Sequence, residues 1–321
     1  MPQPTAGDVH VNRPLTNISI AYMQSADQFI ASKVFPNIPS EKQGDRYVTY
    51  PKEQWFRTDA QKRGVAQESA GSGYEIDSTP TFFCEPIALH RDVDDQVRSN
   101  ADQPIDMDRD ATLFLTQQMM LKREKDWAAA YFTTGLWTGS STGTDIVPGT
   151  LWDAGGSTPI ADMRTEARAM KKKTGRRPNV AVLSEDVWDV LQDHSDFLDR
   201  IKLSDDKVVT VNLLAKLLGL DKIYIAGAVE NTAPEGAAAN MSFVYGKDVA
   251  LFYANPTPSI MQPSAGYTFS WKGYLGASQE GMRIKRFRME HLAADRVEAE
   301  MAYDQKLIAS DLGVFFNGAI S

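Results

Sequence analysis

The chain has 321 residues, 42% of them apolar and 24% charged, a balance that suits a globular protein with a sizeable core in two domains or one elaborate one. A formal net charge of −8 and a pI near 5.1 argue against a dedicated nucleic-acid binder, because phosphate affinity comes from clustered Lys and Arg. A single cysteine excludes an internal disulfide and suits a reducing cytoplasm, no apolar run reaches the roughly 18–20 residues that cross a bilayer, and the N-terminus lacks the pattern of a secretory signal.

Residues 1–17 are polar, carry prolines at 2, 4 and 14, and read as a loose arm. Ile18, Tyr22, Phe29, Ile30 and Val34 follow at near-helical spacing before Pro36. This short amphipathic element needs cover from the main body or from another chain. Residues 46–93 read as a long hairpin, with RYVTYPKEQWF going out and TPTFFCEPIALHRDV returning. The tip, residues 57–73, is small, polar and unstructured, a length uncommon inside a compact domain. So long a hairpin needs a surface to lie on, and a second copy of the chain is the natural one.

The clearest helix is expected from about Asp108 to Thr133, roughly 40 Å long. Leu113, Met120, Trp127 and Tyr131, flanked by Phe114, Leu121 and Ala128, would form its single apolar face, and Asp106, Asp108 and Asp110 suit its positive end. A Gly/Ser/Thr-rich connection spans 135–158. Thr158-Pro159 then opens a helix with Ile160, Met163, Ala167 and Met170 on one stripe, closed by three lysines and Gly175. From Pro178 the pattern is α/β: strand NVAVLS, a Ser184-capped helix with Val187, Leu191, Leu198 and Ile201 inward, helix TVNLLAKLLG, then strands KIYIAGAVE, SFVYGKDVALFYA and GYTFSWKGYL. Residues 281–310 return to extended chain, with Val297, Ala299, Met301 and Tyr303 alternating.

No residues assemble a catalytic mechanism. His10, His90, His194 and His291 lack metal-ligand spacing, and no dinucleotide, phosphate-loop or nucleophile-elbow motif occurs. His194 reads as a satisfied core or interface histidine and Cys84 as a small buried apolar residue. The stretch GSSTGTD (139–145) lacks a lysine and reads as a turn. The basic run KKKTGRR (171–177) suits a helix C-terminus, and RIKRFR (283–288) fits a subunit contact as well as phosphate binding. No cofactor, metal or catalytic residue is expected.

The order of arm, long hairpin, long helix, α/β unit and return strand resembles the major capsid protein of tailed bacteriophages, of the Hong Kong 97-type fold. The likeness rests on LTNISIAYMQ…FIASKVFPNIP, RYVTYPKEQWF…TFFCEPIALH, MDRDATLFLTQQMMLKREKDW, PNVAVLSEDVWDVLQDHSDFLDRIK, LLAKLLGLDKIYIAGAV and YDQKLIASDLGVFF. It covers essentially the whole chain and is one of layout and local phrasing. It implies an α+β fold with an N-terminal arm (1–45), an extended β-hairpin loop (46–93), a peripheral domain with a long spine helix (94–177 and 281–310), an α/β axial domain (178–280) and a C-terminal segment (311–321). It also implies self-assembly into the hexamers and pentamers of an icosahedral head enclosing the genome, built in the host cytoplasm and found in the virion. Implied partners are a separate scaffolding protein, a portal and a decoration protein, with packaged DNA contacted only non-specifically and no membrane. Trp55, Arg57, Lys62, Arg63, Ile18, Tyr22 and Phe29 are the expected inter-subunit contacts. Lys62 stands where some relatives crosslink, but no partner asparagine or assisting carboxylate can be matched, so no crosslink is assigned. The alternatives are an encapsulin-type compartment shell, a tail or connector protein and, from another class, an α/β enzyme with a cryptic site.

Overall fold

The computed structural model describes residues 24–101, 105–201, 210–258, 262–274, 278 and 281–321. In chain order the elements are α1 (Ala31–Val34), β1 (Asn37–Ser40), β2 (Gly44–Arg46), α2 (Lys52–Trp55), β3 (Thr81–Phe83), β4 (Glu85–Asp94), α3 (Asp95–Asn100), α4 (Met107–Tyr131) and α5 (Pro159–Thr174). There follow β5 (Val180–Ser184), α6 (Glu185–Gln192), α7 (Ser195–Ile201), α8 (Val211–Leu218), β6 (Lys222–Ala226), β7 (Val229–Asn231), β8 (Met241–Phe243), β9 (Val249–Phe252), β10 (Gly266–Trp271), β11 (Met282–Met289), β12 (Ala294–Leu307) and β13 (Gly313–Phe316). Among the described residues no helix is long and apolar enough to cross a membrane.

Two sheets organise the molecule. One has the order β13-β9-β5-β6, with β5 and β6 parallel and the other pairs antiparallel. Its strands read as unbroken apolar runs (VAVLS, VALF, GVFF) because both faces are covered. Alternate side chains part to opposite sides, as strand geometry requires. Ala181, Leu183, Val249, Leu251, Val314 and Phe316 face α5, α6 and α8, whereas Val182, Ala250, Phe252 and Phe315 face α1 and the second half of α4. Helix α5 thus packs into this α/β unit, although the sequence boundary at 177 set it on the other side.

In the other sheet the long strand β12 is central. Its first half lies between β11 and β4, its second half pairs with β10, and β10 pairs in parallel with β1. Val297, Ala299, Met301 and Tyr303 face the first half of α4, the alternation read from the sequence.

Helix α4 joins the two sheets. Asp106 caps it through the N–H groups of Asp108 and Arg109, and it runs to Tyr131, near the expected ends. The single apolar face is corrected: Leu113 is 38% and Phe114 43% exposed, while Ala111, Leu115 and Met119 are buried against β12. At about 100° per residue, Leu113 lies about 200° round from Leu115. The helix uses one face for the first core and another, around Trp127 and Ala128, for the second. A seven-residue repeat cannot follow that change of side.

Two further expectations change. The helix read through 185–201 breaks at Asp193 and His194, so Phe197 is buried and Leu198 is 37% exposed. Ser184 makes no side-chain cap, and its buried hydroxyl has no partner. Gly175 closes α5 at φ +73°, the left-handed conformation its position called for.

Candidate functional site

The long hairpin is mostly not a ladder. β2 and β3 form three pairs, one further bridge joins Thr49 to Asp77, and the outgoing segment turns into α2. The return strand β4 pairs with β12 instead. The excursion therefore has a short two-stranded neck and an exposed head with no regular structure from 57 to 73. Its neck is tied to the body: Lys52 pairs with Asp311, and the Phe56 ring lies so close to Gly175 that a Cβ there would be 3.1 Å from it.

The head presents apolar side chains to solvent. Trp55 is 54% exposed, Phe56 66% and Tyr74 58%. Tyr50, Trp55 and Tyr74 lean on one another with ring centroids 5.6–6.2 Å apart, a small aromatic platform held by its own contacts. Polar contacts around it are local: Ser72 and, less strongly, Arg57 bond Asp59, holding its carboxyl below the usual range, and Arg63 donates to the Gln67 carbonyl. Trp55, Arg57, Lys62 and Arg63 thus share one exposed excursion. Phe29 does not join them. It is buried in the chain's own core beside Ile30, Val34 and Phe35, so the main body covers the described part of this element. Ile18 and Tyr22 lie outside the described residues.

A clamp that sequence reasoning missed fastens that element. Glu124, on α4 and buried, accepts the Ile30 N–H at 2.8 Å, the Ala31 N–H at 2.9 Å and the Tyr245 hydroxyl at 2.5 Å. Burial pushes its carboxyl above the usual range against those hydrogen bonds, and burial likewise pushes the Tyr245 phenol up. One carboxylate so joins α1, the long helix and the loop before β9. Its only signal in the sequence is an acid three residues from Trp127.

The basic run 283–288 is neutralised within the chain. Arg283 pairs with Glu300, Lys285 with Glu298 and Glu300, Arg286 with Asp295 and Asp108, and Arg288 with Asp95 and Asp295. Arg286 and Arg98 hold the Asp295 carboxyl down at about 2. A strand so paired offers little to a phosphate backbone, and its charges guard the exposed edge of β11 against fortuitous pairing. At the other basic run, Lys173 donates to the carbonyls of Thr138 and Ser140.

The residues singled out for chemistry are each occupied structurally. In the 139–145 turn, the Ser141 N–H and hydroxyl bond Glu166, so an internal carboxylate already takes the place an anion would need. Cys84 is buried, its thiol directed at the Phe269 carbonyl, and burial pushes it up to about 12, away from thiolate reactivity. His194 lies 2.8 Å from Ser157 Oγ, but its Nδ1 accepts the Asp196 N–H. The neutral ring proton is therefore on Nε2 and points at the serine, the wrong way round for a base to activate it. Among the described residues no group of three or more His, Cys, Asp or Glu is placed to hold a metal ion.

No family model matches the chain. It is 24% identical over 315 residues to the major capsid protein of Burkholderia phage BcepMu, covering 96% of each chain. It is 25% identical over 318 residues to the major capsid protein of Pseudomonas phage JBD67, covering 97% of each. Among solved structures, a phage-related protein from Bordetella bronchiseptica RB50 matches with a TM-score of 0.68 at 22% identity, over 92% of this chain and 93% of the other. The mature capsid of bacteriophage PhiM1 matches at 0.61 and 11% identity, over 98% of each. The holo-SrpI encapsulin complex from Synechococcus elongatus PCC 7942 matches at 0.52 and 10%, over 99% of this chain and 96% of the other.

Proposed function

We infer that the chain belongs with the major capsid proteins of tailed phages: it has the Hong Kong 97-type fold, and its copies assemble into the icosahedral shell of a virion. It is a structural protein, not an enzyme. The observation that carries this reading is similarity to two phage major capsid proteins along nearly the whole length of each, in a chain whose fold matches phage capsids.

The exposed excursion is the part that holds copies together. Burying a large apolar side chain is worth about 1.5–3 kcal/mol, and Trp55, Phe56 and Tyr74 forgo most of that in a lone subunit. A projection reaching from one side of a subunit to a different surface of the next makes a heterologous contact, which closes into rings when its rotation permits. Trp55 and Tyr74 anchor the contact, and Arg57, Lys62 and Arg63 form its polar rim. In this scheme 46–93 is the extended loop, the β12 sheet with α4 the peripheral domain, and the β5 sheet with α5 the axial domain around the hexamer and pentamer axes. Assembly takes place in the host cytoplasm with separate scaffolding, portal and decoration proteins. The acidic chain contacts packaged DNA only non-specifically.

The test is negative-stain imaging and light scattering of the purified chain, alone and with a scaffolding protein supplied. Rings or closed particles are expected. A monomer across all salt and protein concentrations, with scaffold supplied, overturns the reading. The likeness to an encapsulin supports one rival with the same fold, a compartment shell. Particles that package a cargo enzyme, in place of DNA entering through a portal, decide for it.

A further inference from the structure

The break between α6 and α7 is built around one imidazole. His194 stands immediately before α7, and its carbonyl accepts the Phe197 and Leu198 N–H groups. Its Nδ1 accepts the Asp196 N–H at 3.0 Å, so the ring fills the role that Ser, Asp or Asn ordinarily fills at a helix start. The opposite nitrogen, Nε2, lies 2.8 Å from Ser157 Oγ, whose own proton goes to the Ala154 carbonyl at 2.7 Å. Donors and acceptors close around a single arrangement, with a neutral ring protonated on Nε2 alone.

The cap continues into a second one. Asp196 Oδ2 accepts the Ile160 N–H at 3.2 Å, in the first turn of α5, where Thr158 supplies no side-chain cap of its own. Asp196 Oδ1 is held by Arg200 at 3.2 Å. The first turn of α7 therefore caps α5, and the ring of His194 caps α7.

We propose that His194 is a proton-sensitive latch, which as a neutral ring holds α7 against α5 and the 150–158 loop and on taking up a proton lets that corner open. The proton comes from solvent and adds to the Nδ1 lone pair. The Asp196 N–H then faces an N–H instead of an acceptor. The cation also sits at the positive end of α7, where a helix disfavours it. Imidazole is the side chain whose unperturbed charge change falls between pH 5 and 8, which sets the range to search. The charged groups on the segments that meet here are Asp193 beside the ring in the chain, Asp196, Asp199 and Arg200 on α7, Asp162 on α5, which accepts the Trp152 indole, and Asp153 on the loop, which bonds Ser321. The carboxylates favour the cation by charge, but none replaces the acceptor that Asp196 N–H loses. The latch is a property of the folded subunit and does not rest on the shell reading.

Hydrogen exchange of the purified full-length chain tests it, with rates corrected for the intrinsic effect of pH. Between pH 8 and pH 5, exchange of the 195–198 amides and of Ile160 should rise about fivefold, the factor expected from losing one helix cap. His194→Asn keeps an acceptor two residues before the Asp196 N–H and cannot titrate, so its exchange there should be the same at both pH values. Ser157→Ala removes only the other contact and should keep the pH dependence. A wild-type chain with no rise at these amides overturns the proposal, and so does an equal rise in His194→Asn, which would assign the effect to the surrounding carboxylates.

Discussion

The β5 sheet and the 44–83 excursion come from one chain and obey opposite rules. In the sheet, every apolar side chain of β5, β9 and β13 has a place on one face or the other, and Trp127, Trp137 and Trp152 are each at most 1% exposed. In the excursion, Trp55, Phe56, Tyr74 and Phe83 remain more than half exposed, and the side-chain hydrogen bonds of the 57–73 head stay within it. The sheet is finished within the subunit; the excursion, on the function proposed above, is completed by a neighbouring copy. A change in the first should therefore act on the stability of the subunit, and a change in the second on the association of copies.

The strongest way to break that contrast is to remove residues 57–73 and join the flanks by a short turn. Circular dichroism and thermal melting of the deleted subunit should stay close to wild type, while electron microscopy shows no particles or only unstable intermediates. Normal particles would mean the head holds nothing together.

Trp55→Ala with Tyr74→Ala should sharpen it. Each truncation is expected to cost about 2 kcal/mol or more per contact if these rings anchor the interface, and about 0.5 kcal/mol or less in the free subunit, as for exposed positions generally. Particle dissociation in denaturant, set beside melting of the subunit, separates the two effects.

Glu124→Ala should do the reverse. It strands two backbone N–H groups and the Tyr245 hydroxyl inside the core, so denaturant unfolding of the subunit should show a loss of about 2–4 kcal/mol. Assembly should suffer only as far as folded subunit is lost.

The smallest effect expected is one of acid on the β12 sheet. Asp295 is held at about 2 by Arg286 and Arg98; Glu300 also falls to about 2, where burial opposes but the Arg283 and Lys285 hydrogen bonds prevail. Carboxyls with lowered folded values stabilise the fold above their unfolded values, near 4, and lose that contribution as pH falls toward 2. Thermal melting of the free subunit should drop across that window, and Asp295→Asn with Glu300→Gln should flatten it.

The sequence disclosed the finished regions best. The period-2 pattern of β12, the runs VAVLS and VALF, the acidic start of α4 at Asp106 and the closing Gly175 each reflect a local rule that the fold keeps. It misled where one element serves two environments. Helix α4 changes its buried face halfway along, and RYVTYPKEQWF has the composition of a strand but, with Pro51 opening a turn, folds into α2. The exposed site was legible as a region because small polar residues filled 57–73. The burial of Phe29 and the clamp at Glu124 were not, since both depend on contacts between residues over 90 positions apart.

The central claim, that the excursion is completed by a neighbouring copy, is tested most directly by limited trypsin digestion of free and assembled chain, with cleavage mapped by mass spectrometry at Arg57, Lys62 and Arg63. In the free subunit these sites lie in an exposed stretch without regular structure and should be cut first. In assembled particles the neighbour's surface should restrain local opening and cleavage should fall sharply. Equal cleavage at all three sites in both states would contradict the account.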